Sequence, residues 1–377
     1  MSMTHTPSAL GSVTLIGHPY APIGKGEHVR CTFRALRSVG LRPGLLDVYG
    51  LNTPEPDDAA EFGPFAATAP GAVGLFHLNG DEVEQALATL QVRFGGVPAY
   101  RIVYPAWELS NYPQEWARQL ERFDEVWAPS RFTADALAAV VARPIVHMPE
   151  ACEVVLSSLM NRRWFGIPEA SYVFMFFYDV RSYAARKNPQ AVIAAFRRLL
   201  DARPYAATTL VIKVNGGELA PESVKQLRES AADLRERAVL IDRTLTDNQV
   251  KNLVRLSDCF VSLHRAEGFG RGLCEAMALG KPVIGTGYSG NLDFMTPETS
   301  CLVDYRLVPV GEGQYPHWQD QVWAEPDVDQ AARFMRHLLD DPTAGAELGR
   351  RASLRIRTEF SYRAAGRRYS DRLRELV

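Results

Sequence analysis

Glu267 and Glu275 bracket the run Glu267-Gly-Phe-Gly-Arg-Gly-Leu-Cys-Glu275, two carboxylates eight residues apart. A carboxylate accepts paired hydrogen bonds from neighbouring hydroxyls. Backbone N–H groups at the start of a helix suit phosphate. Gly268 and Gly270, on either side of Phe269, let a ligand approach the main chain closely. These residue types at this spacing suit a molecule that carries both hydroxyls and phosphate, such as a sugar diphosphate. An ordinary strand–turn–helix with a chance pair of glutamates has the same string, so the surrounding elements matter.

The stretch 259–263 is short, apolar and β-prone, and predicts a buried strand with His264 and Arg265 at its carboxyl end. Leu273, Ala276, Met277 and Leu279 follow at helical spacing, Gly280 ends the helix, and 281–284 restarts as a strand. In an open α/β sheet, ligands bind outside the carboxyl ends of the strands, which is where this turn falls.

The rest of the chain repeats that alternation. In the first half, strands are expected at 13–16, 44–48, 73–77, 101–103, 125–128 and 145–148, and helices at 28–39, 81–90, 114–122 and 131–140, the last capped by Ser130. The pattern loosens between Pro149 and Ser171. A second series then gives strands at 173–178, 208–214, 239–241, 259–263 and 283–286, with helices at 189–200, 223–230, 248–256 and 273–279. From Val328 onward the chain reads as nearly continuous helix, broken near Asp341-Pro342 and at Glu359-Phe-Ser361. The expected fold class is α/β: two Rossmann-like doubly wound domains with an inter-domain cleft and a helical C-terminus. The expected boundaries are an acceptor-side domain over 1–150, a linker over 151–170, a donor domain over 171–355, and a C-terminal helix over 356–377 that could pack back on the first domain.

Composition narrows the class. Of 377 residues, 23% are charged and 46% hydrophobic, as in a globular enzyme. The net charge of −2 gives no global attraction to nucleic acid. No apolar run approaches the roughly 20 residues needed to span a bilayer, and the polar start, Met1 to Ser12, has no leader-peptide core. Cys31, Cys152, Cys259, Cys274 and Cys301 are odd in number and scattered, which favours reduced thiols in a cytosolic compartment. Arg363, Arg367, Arg368, Arg372 and Arg374 could bring the last helix to anionic headgroups at the inner face of the plasma membrane. Glu359, Asp371 and Glu375 interleave with them, so a solvated face is the simpler expectation.

With these elements in place, Ser262-Leu-His-Arg-Ala-Glu-Gly-Phe-Gly270, Glu275-Ala-Met277 and Gly280-Lys-Pro-Val283 resemble the donor motif of retaining glycosyltransferases of family 4, which have the GT-B fold. Arg186-Lys-Asn-Pro189, Gly287-Tyr-Ser-Gly-Asn-Leu-Asp-Phe-Met295, Trp107-Glu-Leu109 and Val126-Trp-Ala-Pro-Ser-Arg-Phe132 agree with it, and the resemblance covers most of 13–340. It implies that Glu267 contacts the transferred sugar, that Glu275 takes the ribose hydroxyls, and that Gly268, Phe269, Gly270 and Asn291 line the donor pocket. It also implies an Arg and a Lys that hold the diphosphate. Arg181 and Lys187 have the right types, and Arg186 competes for either role. In the first domain His77, at a strand end that faces the expected cleft, is a candidate for a catalytic role at the reacting centre, and the acceptor-side candidates are the loop Gly24-Lys25-Gly26 and Trp107-Glu108, an aromatic face with a carboxylate beside it.

Asp327-Val-Asp329 fits the metal-binding string of other glycosyltransferases, but Pro326 before it and a helix after it point to helix capping. No metal or cofactor is expected. The implied reaction is transfer of a sugar from a nucleoside diphosphate sugar to a hydroxyl of a glycan or lipid-linked acceptor. A sugar-nucleotide epimerase, or a non-catalytic sugar-nucleotide-binding subunit of a transferase complex, would share the same donor residues.

Overall fold

The computed structural model describes residues 12–52, 54 and 56–376. The polar stretch Met1–Gly11 lies outside the described residues. The chain divides into two compact units: the first runs to Trp107 and takes in Asn111–Ala151 and the segment from Phe360 onward, and the second holds Glu108–Ser110 and Cys152–Glu359.

The first unit is a six-stranded parallel sheet of β1 (Val13–Gly17), β2 (Gly44–Asp47), β3 (Val73–Phe76), β4 (Tyr100–Val103), β5 (Glu125–Ala128) and β6 (Ile145–His147), in the order β2-β1-β3-β4-β5-β6. Strands β1, β3 and β5 are buried along their whole length, as expected when helices cover both faces of a parallel sheet. The helices are α1 (Gly24–Ser38), α2 (Pro56–Phe62), α3 (Val83–Arg93), α4 (Gln114–Leu120) and α5 (Arg131–Ala138), and Ser130 caps α5 through the Thr133 amide.

Helix α1 begins four residues earlier than its sequence suggests. Gly24, Lys25 and Gly26 are its first turn and not a free loop. A Cβ on Gly26 would stand 2.1 Å from the Ala21 carbonyl oxygen, so this glycine seats the helix start against the preceding loop, whereas a Cβ on Gly24 would meet nothing.

In the second unit β7 (Tyr172–Asp179), β8 (Thr208–Asn215), β9 (Ala238–Ile241), β10 (Cys259–Ser262), β11 (Val283–Thr286) and β12 (Cys301–Val303) are all parallel, in the order β12-β11-β10-β7-β8-β9. The connecting helices are α6 (Ala184–Lys187), α7 (Pro189–Ala202), α8 (Pro221–Ser230), α9 (Asp247–Leu256) and α10 (Arg271–Ala278). The chain order reverses between β7 and β10, and such a switch point opens a crevice at the strand ends. An antiparallel hairpin of β13 (Tyr305–Pro309) and β14 (Val322–Pro326) follows, which the sequence pattern does not announce because β13 is largely exposed and lacks a buried face.

Three helices close the chain: α11 (Val328–Asp340), α12 (Pro342–Glu359) and α13 (Tyr362–Arg374). Asp327 caps α11 by accepting from the Gln330 amide. Helix α13 lies on α1 in the first unit. Tyr369 packs 5.4 Å from Trp127 and donates to the Pro149 carbonyl, and Arg372 forks onto the buried Glu125. Arg374 pairs with Asp371, so part of the arginine-rich face is spent within the fold. A Cβ on Gly366 would meet the Ala35 carbonyl oxygen at 2.1 Å. Gly366→Ala should therefore push α13 off α1 and cost about 2 kcal/mol, read as a lower midpoint in urea. An unchanged midpoint would contradict this packing.

Candidate active site

The turn after β10 is held from beneath by a polar network. Ser289 has φ +76, a strained conformation for a residue with a side chain. That conformation puts its Oγ 2.8 Å from the Glu267 amide, which donates to it. The next residue, Gly290, donates its N–H to the Glu267 carbonyl at 2.9 Å, and a Cβ there would lie 2.0 Å from the Gly268 oxygen. Only glycine fits so close a crossing of two loops. Gly270, at φ +94, then turns the chain into α10.

His264 sits fully buried behind the turn. Its Nδ1 lies 3.2 Å from Ser262 Oγ and its Nε2 3.0 Å from Asn291 Oδ1, while Asn291 Nδ2 donates to the Thr286 carbonyl at 2.9 Å. Burial moves the His264 pKa down, which keeps the ring neutral.

Facing Glu267 are the two cations of the short helix α6. Positive-φ residues bracket it, Tyr183 at +62 and Asn188 at +54, and Pro189 then opens α7 at a position where its missing N–H costs nothing. This tight geometry sets Arg186 and Lys187 over the switch point. Lys187 Nζ lies 2.5 Å from Glu267 Oε1, and Arg186 Nη1 lies 3.1 Å from Oε2 and 2.9 Å from the Ala266 carbonyl. Within the same unit, Arg186 Nη2 is 3.4 Å from Glu108, Tyr315 donates its hydroxyl to Glu108, and the Arg186 guanidinium lies over the Tyr315 ring.

Burial alone would raise the Glu267 pKa, but Lys187 and Arg186 outweigh it and hold the carboxyl at about 2. Burial also pulls Lys187 below the ordinary lysine range, against the pull of Glu267. The carboxylate is the better compensated partner, since it faces two cations, and it is ionised at neutral pH.

Of the other expected donor residues, Glu275 is buried in α10 and Phe269 packs 5.1 Å from Phe294. Asn291 braces His264 with both ends of its amide. Arg181 pairs with Asp179: its Nε and Nη2 donate to that carboxylate at 2.8 and 2.6 Å. Arg186, not Arg181, joins Lys187 on the carboxylate.

In the first unit, Lys25 is bound to Glu82, which also takes His18 at 3.1 Å. His77 is buried, with neither ring nitrogen hydrogen-bonded among the described residues, and burial followed by the neighbouring His28 drives its pKa well down. Trp107 offers no open aromatic face. It is 1% exposed, packed 5.5 Å from both Tyr112 and Trp116, and its indole N–H donates to the Asn111 carbonyl. Ser289 and Tyr315 join the site only through the fold. His264 is marked in the sequence by its place at a strand end.

Residues 165–306, which carry α6, the Glu267 turn and α10, match the family model described as Glycosyl transferases group 1. This part of the chain is similar to a glycosyltransferase domain. The GDP-mannose-dependent monoacylated alpha-(1-6)-phosphatidylinositol monomannoside mannosyltransferase of Corynebacterium glutamicum is 27% identical over 193 residues, 49% of this chain and 43% of that protein. The alignment thus spans less than half of that relative. Among solved structures, Anabaena HepE in complex with UDP and glucose superposes with a TM-score of 0.69 at 13% identity, covering 97% of this chain and 100% of that one. Sucrose-phosphate synthase from Thermosynechococcus elongatus gives 0.67 at 16% identity, covering 97% and 98%. The fold is GT-B. Among the described residues no helix is long and apolar enough to cross a membrane.

The Glu267 cluster has a pH signature. A carboxylate with an ordinary pKa of 4.5 when unfolded and about 2 when folded adds stability above pH 4.5, and that contribution is lost as the pH falls through 2. Glu267→Gln should thus be less stable than the parent at pH 7, by roughly 3 kcal/mol. The gap should close between pH 4.5 and 2 in urea titrations. A pH-independent gap would contradict the ion-paired carboxylate.

Proposed function

We propose that this chain is a retaining, metal-independent glycosyltransferase that moves a sugar from a nucleoside diphosphate sugar to a hydroxyl of a glycan or lipid-linked acceptor. The observation that carries the reading is the triad of Lys187, Arg186 and Glu267 at the switch point, directly before a glycine turn that opens α10. Departure of a nucleoside diphosphate builds negative charge on the outer phosphate. Two fixed cations in a partly dry site stabilise that charge most as the bond breaks. They supply there the charge that a divalent ion supplies in metal-dependent transferases.

Before a donor enters, Glu267 is paired to both cations. Its oxygens suit hydroxyls of the transferred sugar, in line with front-face attack in which the departing phosphate accepts the acceptor proton. Glu275, eight residues further on and inside α10, suits the ribose hydroxyls. The relative that is named for GDP-mannose and a phosphatidylinositol mannoside supports a sugar nucleotide as donor and a lipid-linked glycan as one class of acceptor. The neighbour named for UDP and glucose supports a nucleoside diphosphate in the same kind of fold.

Melting curves with UDP-, GDP-, ADP- and dTDP-sugars should identify the donor, because a ligand bound by the native state raises its stability. With that donor, turnover should survive EDTA, and Glu267→Ala should reduce it about 100-fold or more. Metal-dependent turnover, or an undiminished Glu267→Ala, would overturn the proposal.

A further inference from the structure

Lys213 is the one charged residue in the middle of the sheet sequence Thr208–Asn215, and it is 2% exposed. Leu210, Ile212 and Val214 point to the core beneath α7 and α11. Lys213 alternates to the other face, level with Phe177 on β7 and Ile241 on β9. That is the face covered by α10, because a Cβ on Gly272 would lie 2.8 Å from the Phe177 ring. Lys213 therefore shares a layer with the helix that carries Glu275.

Its ammonium has one hydrogen-bond acceptor among the described residues, the Val214 carbonyl, and no ion pair. The nearby carboxylates are committed elsewhere: Asp179 to Arg181 and Asn215, and Asp242 to Arg228 at 2.6 Å. Burial pushes the Lys213 pKa down to about 8, against the pull of Asp179, Asp242 and Glu218. An ammonium carries three donors, and a covered one with a single partner is costly to fold around. The open donors imply a ligand.

The strand order says which one. A diphosphate on Arg186 and Lys187 lies over the crevice between β7 and β10. On the β11 side the 287–295 loop crosses the Glu267 turn at Gly290, which leaves less room there. A nucleoside that runs the other way passes β7 toward β8 and β9. Strands β8 and β10 are two strand spacings apart, roughly 10 Å, which a nucleoside can bridge.

We propose that Lys213 reads the nucleobase of the donor, its ammonium donating to a keto oxygen and thereby selecting uracil or guanine over adenine. Adenine has an amino group where these bases have oxygen, and two donors facing each other are mismatched. This inference rests on the nucleoside diphosphate reading above.

Calorimetric titration of UDP, GDP and ADP into the full chain and into Lys213→Met tests it. The parent should bind UDP or GDP at least ten-fold tighter than ADP. Lys213→Met should lose ten-fold or more for the preferred nucleotide, leave ADP unchanged, and melt at an equal or higher temperature, since an unpaired buried ammonium is replaced by an apolar side chain of similar length. A variant that keeps the base preference, loses all three nucleotides equally, or melts lower or fails to fold would assign Lys213 a structural role and overturn the proposal. A parent that binds none of the three would instead overturn the donor reading itself.

Discussion

Two cations share one carboxylate at the switch point of the second sheet, and much of that unit's local architecture serves this contact. Each of the three groups is withdrawn from water, so each alone would be costly. Together they hold one another ionised. The strained backbone at Tyr183, Asn188 and Ser289 follows from the same requirement: two of these residues aim α6 at the carboxylate, and the third puts a hydroxyl under the Glu267 amide. His264 and Asn291 form the floor of the turn, a neutral, fully bonded layer that fixes the loop from 286 to 295 against it. A site arranged in this way is rigid before any ligand arrives, which is the condition under which fixed charges act most strongly on a reacting phosphate.

The same arrangement says how a donor would enter. Arg186 and Lys187 are already neutralised, so an incoming diphosphate must exchange with Glu267 for their hydrogen bonds. Such an exchange releases the carboxylate toward sugar hydroxyls at the moment the phosphates are seated. Arg186 has a second carboxylate, Glu108, and the Tyr315 ring within the same unit, which keeps its guanidinium in place during that exchange. Arg181 pairs with Asp179 through its fork.

Much of this was legible in the sequence. The alternation of β-prone and helical segments, the capping residues Ser130 and Asp327, and the breaks before α12 and α13 follow from local patterns, and the structure has them. The Glu267 turn was legible because glycine spacing and helix entry are local properties. The choice between Arg181 and Arg186 was not. Both satisfy the type requirement, and only the positive-φ turns around α6 decide which one faces the carboxylate. Trp107 looked like a sugar platform because an exposed and a buried tryptophan have the same letter; Tyr112 and Trp116, which cover it, become neighbours only in the fold. The Gly24–Gly26 segment read as a loop because glycine disfavours helix, but Gly26 is required by a close contact at the first turn of α1. Tyr315 and the β13–β14 hairpin had no periodic signal at all.

The central claim is that Glu267, Lys187 and Arg186 form the seat of a nucleoside diphosphate. A crystal structure with the tightest-binding nucleoside diphosphate tests it most directly. The account predicts diphosphate oxygens within hydrogen-bonding distance of Arg186 and Lys187, beside the Gly268–Gly270 turn, with Lys187 drawn away from its 2.5 Å contact with Glu267. Phosphates bound elsewhere, with the Lys187–Glu267–Arg186 contacts unchanged, would contradict it.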